Sequence, residues 1–337
     1  MIFLSKHNLL IDADPGMGFI GSDVDDNLAI MLADRSDAFE LVGVSLTSGN
    51  VRVEKGHESL DKFLKLIKRE DVPFALGSKE PLVSKYSSAR ELKMEHVKEN
   101  GLSINFNEHI ENHSLSLEPS PKHASDFIIE LVKKYEGNLV IAAVAPLTNI
   151  ALAINKAPEV MKKLKKMIIM GGAFNYPGNI SPVAELNVKV DPIAARIVMN
   201  FNIDKTVVGL NVTEQVSLSP DDILDNLAGN EETIDFFSKF VSEWVNMREV
   251  SLGQSYFYPH DPVALTYLEK PSLFKKEDMF IKVIDQKGFC NGQTVGIPTS
   301  IASNYKMSLE ERPVCEVATD IDVSGFKRYL FKRLSKK

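Results

Sequence analysis

Short apolar runs at 41–46, 138–144, 167–170 and 206–210 alternate along this chain with segments of helical period, among them 124–135 and 192–199. Strands that recur between helices are joined by crossovers, which lays them parallel in one sheet with helices on both faces. The expected fold class is therefore α/β, an open, mostly parallel, Rossmann-like central sheet flanked by helices. Residues 279–319 carry further strand-like runs that extend the sheet, and 323–334 reads as a closing helix. The segment 232–250 is a long amphipathic helix whose stripe of Phe236, Phe237, Phe240, Val241, Trp244 and Val245 is assigned to core.

At 337 residues, 44% hydrophobic and 25% charged, the chain buries a large core. No linker-like stretch divides it, so 1–337 is expected to be one domain. A net charge of −7 with scattered Lys and Arg argues against a nucleic-acid partner, which needs a concentrated basic face. No apolar stretch approaches the roughly 18 residues of a membrane span. The two cysteines, Cys290 and Cys315, have no metal or redox spacing and suit a reducing compartment. The apolar amino-terminal run leads straight into acidic residues without a cleavage pattern and reads as strand one; the expected location is cytoplasmic.

In an open parallel sheet, ligands bind outside the carboxyl ends of the strands. Polar clusters sit there. Leu9, Leu10 and Ile11 end a buried strand, Pro15 and Gly16 break it, and 27–33 begins a helix, so Asp12, Asp14, Asp23, Asp25 and Asp26 lie between strand and helix. Asp is also a favoured cap and first-turn residue, which explains some of this without an ion. Carboxylates packed this closely repel, however, and a hard cation such as Ca²⁺ relieves the repulsion by accepting several oxygens. Thr47 to Asn50, Val144 to Asn149 and the loop after Gly171 add polar groups at other strand ends, and His260-Asp261-Pro262 opens a further helix.

The segments LIDADPG and DVDDNLAI, VAPLTNIALAI (144–154), MGGAFNYPGNISPVAELNVKVDP (170–192), VVGLNVTEQ (207–215) and HDPVALTYL (260–268) occur in an order that resembles the inosine-uridine preferring nucleoside hydrolases. The carboxy-terminal GQTV (292–295) and CEVATDIDVSGFKRYL (315–330) look like that family's ending, so the resemblance runs through nearly the whole chain. It departs at the opening signature, Asp-x-Asp-Pro-Gly-x-Asp-Asp. Ten residues separate Asp14 from Asp25 where three are usual, so a heptapeptide such as MGFIGSD is inserted, and Asp23 is left as a spare.

The resemblance implies a nucleoside hydrolase fold and Ca²⁺-dependent cleavage of ribonucleosides to free base and ribose. Asp14, Asp26 and Asp261, with the backbone carbonyl of Val144, would hold the cation. Asp14 would also take a proton from activated water. Asp25, Asn50, Asn179, Glu185 and Asn187 would bind the ribose, Asp12 would support its neighbours, and His260 would face the leaving base as proton donor. Leu186 stands where the family carries an aromatic residue. A homodimer or homotetramer is implied. The stretch 84–113, with His96, Gly101 and Leu102, holds only a damaged form of the base-contacting loop, so purine and pyrimidine preferences are not separated. His57 and His123 read as helix-surface residues. A non-catalytic riboside-binding protein, a hydrolase of another N-riboside, and a phosphatase using Asp12 remain as alternatives, the last leaving HDP and GNISPVAELN without a role.

Overall fold

The computed structural model describes residues 6–19, 21–83, 89, 91, 115–302, 304 and 313–336. In chain order its strands are β1 (His7–Ala13), β2 (Phe39–Leu46), β3 (Phe74–Leu76), β4 (Leu139–Ala143), β5 (Lys166–Met170), β6 (Lys205–Val208), β7 (Phe274–Val283), β8 (Thr294–Pro298) and β9 (Val314–Ile321). The longer helices are α1 (Asp25–Asp34), α2 (Val53–Leu66), α3 (Ala124–Lys134), α4 (Thr148–Lys156), α5 (Pro192–Asn200), α6 (Glu231–Leu252), α7 (His260–Glu269) and α8 (Val323–Leu334).

The strands form a nine-stranded sheet in the order β3-β2-β1-β4-β5-β6-β9-β7-β8. Pairing is parallel from β3 through β9, whereas β7 runs antiparallel to both β9 and β8. The strand-like runs of 279–319 thus extend the sheet as expected, making it mixed at one edge. β7 and β8 are close enough in sequence to be joined without a crossover helix, which permits the antiparallel turn.

Side chains alternate across the pleat and feed two cores. Leu9, Ile11 and Ala13 of β1, with Val140 and Ala142 of β4, meet α1, α2, α6, α7 and α8. Leu10, Ile141 and Ala143 point the other way, onto α3, α4 and α5. Both faces are covered, which is why these strands read as continuous apolar runs rather than as alternating ones.

The chain leaves β1 toward β2 and β3, then returns to place β4 on β1's other side. That reversal opens a crevice at the carboxyl ends of β1 and β4. Asp12 pairs with Ala143 in register, so Ala13 and Val144 leave the paired region together and Asp14 follows one residue later. The base-contacting stretch read at 84–113 lies outside the described residues except for 89 and 91.

His57 is not a surface residue. It falls on the stripe of α2 with Val53, Leu60 and Leu64, is buried, packs its ring 5.2 Å from Phe74 and holds Nε2 3.1 Å from the Leu117 carbonyl. His123 is partly buried at the start of α3, where its ring nitrogen accepts from the Ser125 N–H.

Candidate active site

β1 ends because Pro15 has no N–H to donate and Gly16 lets the chain turn back on itself. α1 then opens with Asp25 and Asp26 in its first turn, where carboxylates complement the helix dipole. Three backbone and amide contacts join the pieces. The Asp14 N–H donates to Asp26 Oδ1 at 3.0 Å, the Asn50 N–H donates to Asp14 Oδ2 at 2.5 Å, and Asn50 Nδ2 donates to Asp26 Oδ2 at 3.1 Å. Gly49 allows this approach: a Cβ there would lie 1.7 Å from Asp14 Oδ2. From the far side of the crevice, the Asp261 N–H at the start of α7 faces Asp25 Oδ2 at 3.4 Å.

Asp12 lies below the cluster. Its Oδ1 accepts from Ser45 Oγ at 2.5 Å and Asn149 Nδ2 at 2.9 Å, and burial pushes its pKa up to about 7. Those bonds tie β1, β2 and α4 together beneath the site.

Burial raises Asp14, Asp25, Asp26 and Asp261 well above the ordinary carboxylate range, and mutual repulsion raises them further. Asp23 contributes to the repulsion at all four. It is not a spare: it lines the cavity, and one oxygen each from Asp23, Asp25 and Asp26 lie within 4.8 Å of one another. These three form a group of candidate metal-ligating carboxylates among the described residues. An all-oxygen, carboxylate-rich donor set suits a hard divalent cation. The buried Asn50 Oδ1 and Asp12 Oδ2 have no hydrogen-bond partner among the described residues, leaving acceptor capacity beside the cluster.

The loop after β5 closes the next wall. Glu185 caps a short helical turn (Leu186–Val190): its carboxylate accepts from the Asn187, Val188 and Gly172 N–H groups at 2.7, 3.0 and 3.0 Å. Burial pushes its pKa up to about 7 against those three donors. Asn187 Nδ2 donates to the Val144 carbonyl at 3.0 Å, occupying one of that oxygen's two lone pairs. Asn179 is at the exposed rim, with Oδ1 accepting from the Leu186 N–H at 2.9 Å. His260 Nδ1 lies 2.8 Å from Thr213 Oγ1, and its ring packs 5.7 Å from that of Tyr258.

Many of these groups line a cavity of about 600 Å³; Asp14 and Asp26 are not among its lining residues. Asp23, Asp25, Asn50, Val144, Asn179, Glu185, Leu186, Asn187, His260 and Asp261 are among its lining residues, as are several groups that sequence reasoning missed. The last turns of α6 supply Trp244, Met247, Arg248, Ser251 and Leu252, and the connection to α7 supplies Gln254 and Tyr258. The aromatic stripe of α6 therefore serves core and cavity together. Arg248 was the readable signal, a charge four residues beyond Trp244 on an apolar face. Its guanidinium packs 5.3 Å from the Tyr258 ring, and its Nε donates to the Tyr256 carbonyl at 2.9 Å. The lining thus combines carboxylates and amides with aromatic and apolar surface. Such a space is suited to a molecule that joins a polyol to a flat ring.

The inosine-uridine preferring nucleoside hydrolase family model matches residues 9–328. The chain belongs to this family. Uridine nucleosidase 1 of Arabidopsis thaliana is 35% identical over 345 aligned positions, covering 99% of this chain and 95% of that protein. A solved plant nucleoside hydrolase, the PpNRh1 enzyme, superposes with a TM-score of 0.84 at 26% identity, covering 99% of this chain and 100% of that one. A purine-preferring ribonucleoside hydrolase from Gardnerella vaginalis gives 0.80 at 26% identity, covering 97% and 98%. This protein is accordingly a hydrolase of nucleosides, and its nine-stranded sheet is the nucleoside hydrolase fold. Among the described residues, no helix is long and apolar enough to cross a membrane.

Proposed function

We propose that the chain cleaves the N-glycosidic bond of ribonucleosides in a Ca²⁺-dependent reaction, releasing free base and ribose. The observation that carries the reading is the cavity itself, where Asp14's buried carboxylate cluster adjoins a space walled by Trp244, Met247, Tyr258 and His260. Asp14, Asp26, Asp261 and the Val144 carbonyl would hold the cation, which when bound lowers the pKa of water and orients sugar hydroxyls.

The chain's own groups do the rest. Bond cleavage proceeds through an oxocarbenium-like ribosyl cation, so the site must accept a proton from water, grip the sugar and let the base leave. Asp14, whose Oδ2 accepts from the Asn50 N–H, acts as general base. Asp25, Asn50, Asn179, Glu185 and Asn187 bind ribose hydroxyls. His260, with Nδ1 set by Thr213, donates a proton to the departing base. The plant relative's name makes uridine the first substrate to try, with inosine the purine counterpart.

A panel of ribonucleosides, read by release of reducing sugar, tests the activity. Ribose release from uridine or inosine is expected. Binding of ribosides without turnover would instead make the chain a non-catalytic capture protein.

A further inference from the structure

The described residues of the insertion in the acidic signature, 17–19 and 21–23, pack inward toward the site. Met17 and Phe19 are buried, Ser59 Oγ of α2 donates to the Met17 carbonyl at 2.7 Å, and the Phe19 and Ser22 N–H groups close successive turns onto Gly16 and Phe19. The Phe19 ring also carries Lys55 Nζ 4.7 Å from its centroid. The loop shares a small cleft with Phe240, Glu243 and Trp244 of α6, so it is wedged between α2 and the helix that walls the cavity. Gly21 takes φ 89°, a conformation open to glycine, and two residues later Asp23 reaches the cavity lining.

We propose that Asp23 is an additional ligand of the bound cation, supplied by the insertion, and that it raises the cation's affinity; this rests on the cation-dependent reading above. Oxygens around Ca²⁺ lie about 2.3–2.6 Å from the ion, so any two of its ligands are at most about 5 Å apart. The 4.8 Å limit that encloses the oxygens of Asp23, Asp25 and Asp26 is within that span. A second, independent sign of a ligand is Asn50. It is 7% exposed and lines the same cavity, its amide nitrogen rests on Asp26, and its Oδ1 is buried with no partner among the described residues. Without a cation, Asp23 adds repulsion to four buried carboxylates, although it also attracts the Arg248 guanidinium. With one, each further carboxylate strengthens binding, as ligand charge count does at oxygen-coordinated Ca²⁺ sites generally.

Isothermal titration of Ca²⁺ into the chelator-treated full chain tests this, comparing wild type with Asp23→Asn and Asp26→Asn. Asp23→Asn should bind at least tenfold more weakly, and Asp26→Asn should lose binding. The metal-free Tm of Asp23→Asn should equal or exceed that of wild type, because a repelling charge is gone, whereas loss of a merely structural residue would lower it. Should Asp23→Asn not fold, Asp23→Ser is read the same way. An affinity within twofold of wild type, with Asp26→Asn still deficient, would overturn the role of Asp23 and leave the cation site standing. Absence of Ca²⁺ binding by the wild-type chain would overturn both.

Discussion

At the residue scale, the proposed reaction turns on Asp14. Asp14→Asn should lower turnover by about a thousandfold or more while the protein stays folded, since it removes the proposed base from a site whose geometry persists. His260→Ala should behave differently: it should slow uridine or inosine by about a hundredfold yet leave nitrophenyl riboside, whose leaving group needs no proton, within about threefold. Equal losses on both substrates would rule out protonation by His260. If Asp25 and its partners grip ribose, kcat/KM for deoxyuridine should be at least about a hundredfold below that for uridine, because a missing hydroxyl strands buried polar groups at roughly 1–3 kcal/mol each. Much of this was legible in the sequence. Carboxylates at a strand end and an HDP helix start are local patterns, and the structure brings Asp14, Asp25, Asp26 and Asp261 into one crevice. Asp23 was not legible, because whether an inserted loop folds inward depends on what Met17 and Phe19 find to pack against.

Elements were legible where one period dominates. The α6 pattern at 232–250 is realised as Glu231–Leu252, and the 124–135 pattern as Ala124–Lys134. What periodicity cannot separate is a stripe that packs from a stripe that lines a cavity, since both are apolar; hence Trp244 was assigned wholly to core. Phe237, fully buried on the same helix against Phe63, is core alone, and Phe237→Ala should cost about 3–5 kcal/mol. Asp191 offers a sharper test of how the elements are joined. Its Oδ1 caps α5 at the Ala194 N–H, 3.0 Å, while its Oδ2 accepts from Thr148 Oγ1 of α4 at 2.8 Å and the Leu82 N–H at 2.9 Å. Asp191→Ala should therefore cost about 2–4 kcal/mol in urea unfolding, a lost cap plus stranded donors, and a cost below about 1 kcal/mol would mean those donors find water instead.

For the molecule as a whole, the parallel sheet and its crevice followed from the alternation of strands and helices. The antiparallel β7 did not, because its neighbours are chosen by long-range pairing. The concentration of buried carboxylates has a global consequence in stability. Asp12 and Glu185, ordinarily at 3.8 and 4.5, are raised to about 7, so between those limits the metal-free native state binds more protons than the unfolded chain. Its stability contribution from these groups therefore falls as pH rises through that window and levels above about 7. A bound cation takes the place of protons at the neighbouring cluster, so the rise in Tm on adding Ca²⁺ should be larger at pH about 7.5 than at about 5.5. The central claim, that this acidic crevice hydrolyses ribonucleosides with a divalent cation, is tested most directly by kcat/KM for uridine and inosine before chelation, after it, and after Ca²⁺ is restored. The account predicts ribose release that falls at least about a hundredfold on chelation and recovers with Ca²⁺. Full activity in the metal-free protein would contradict it.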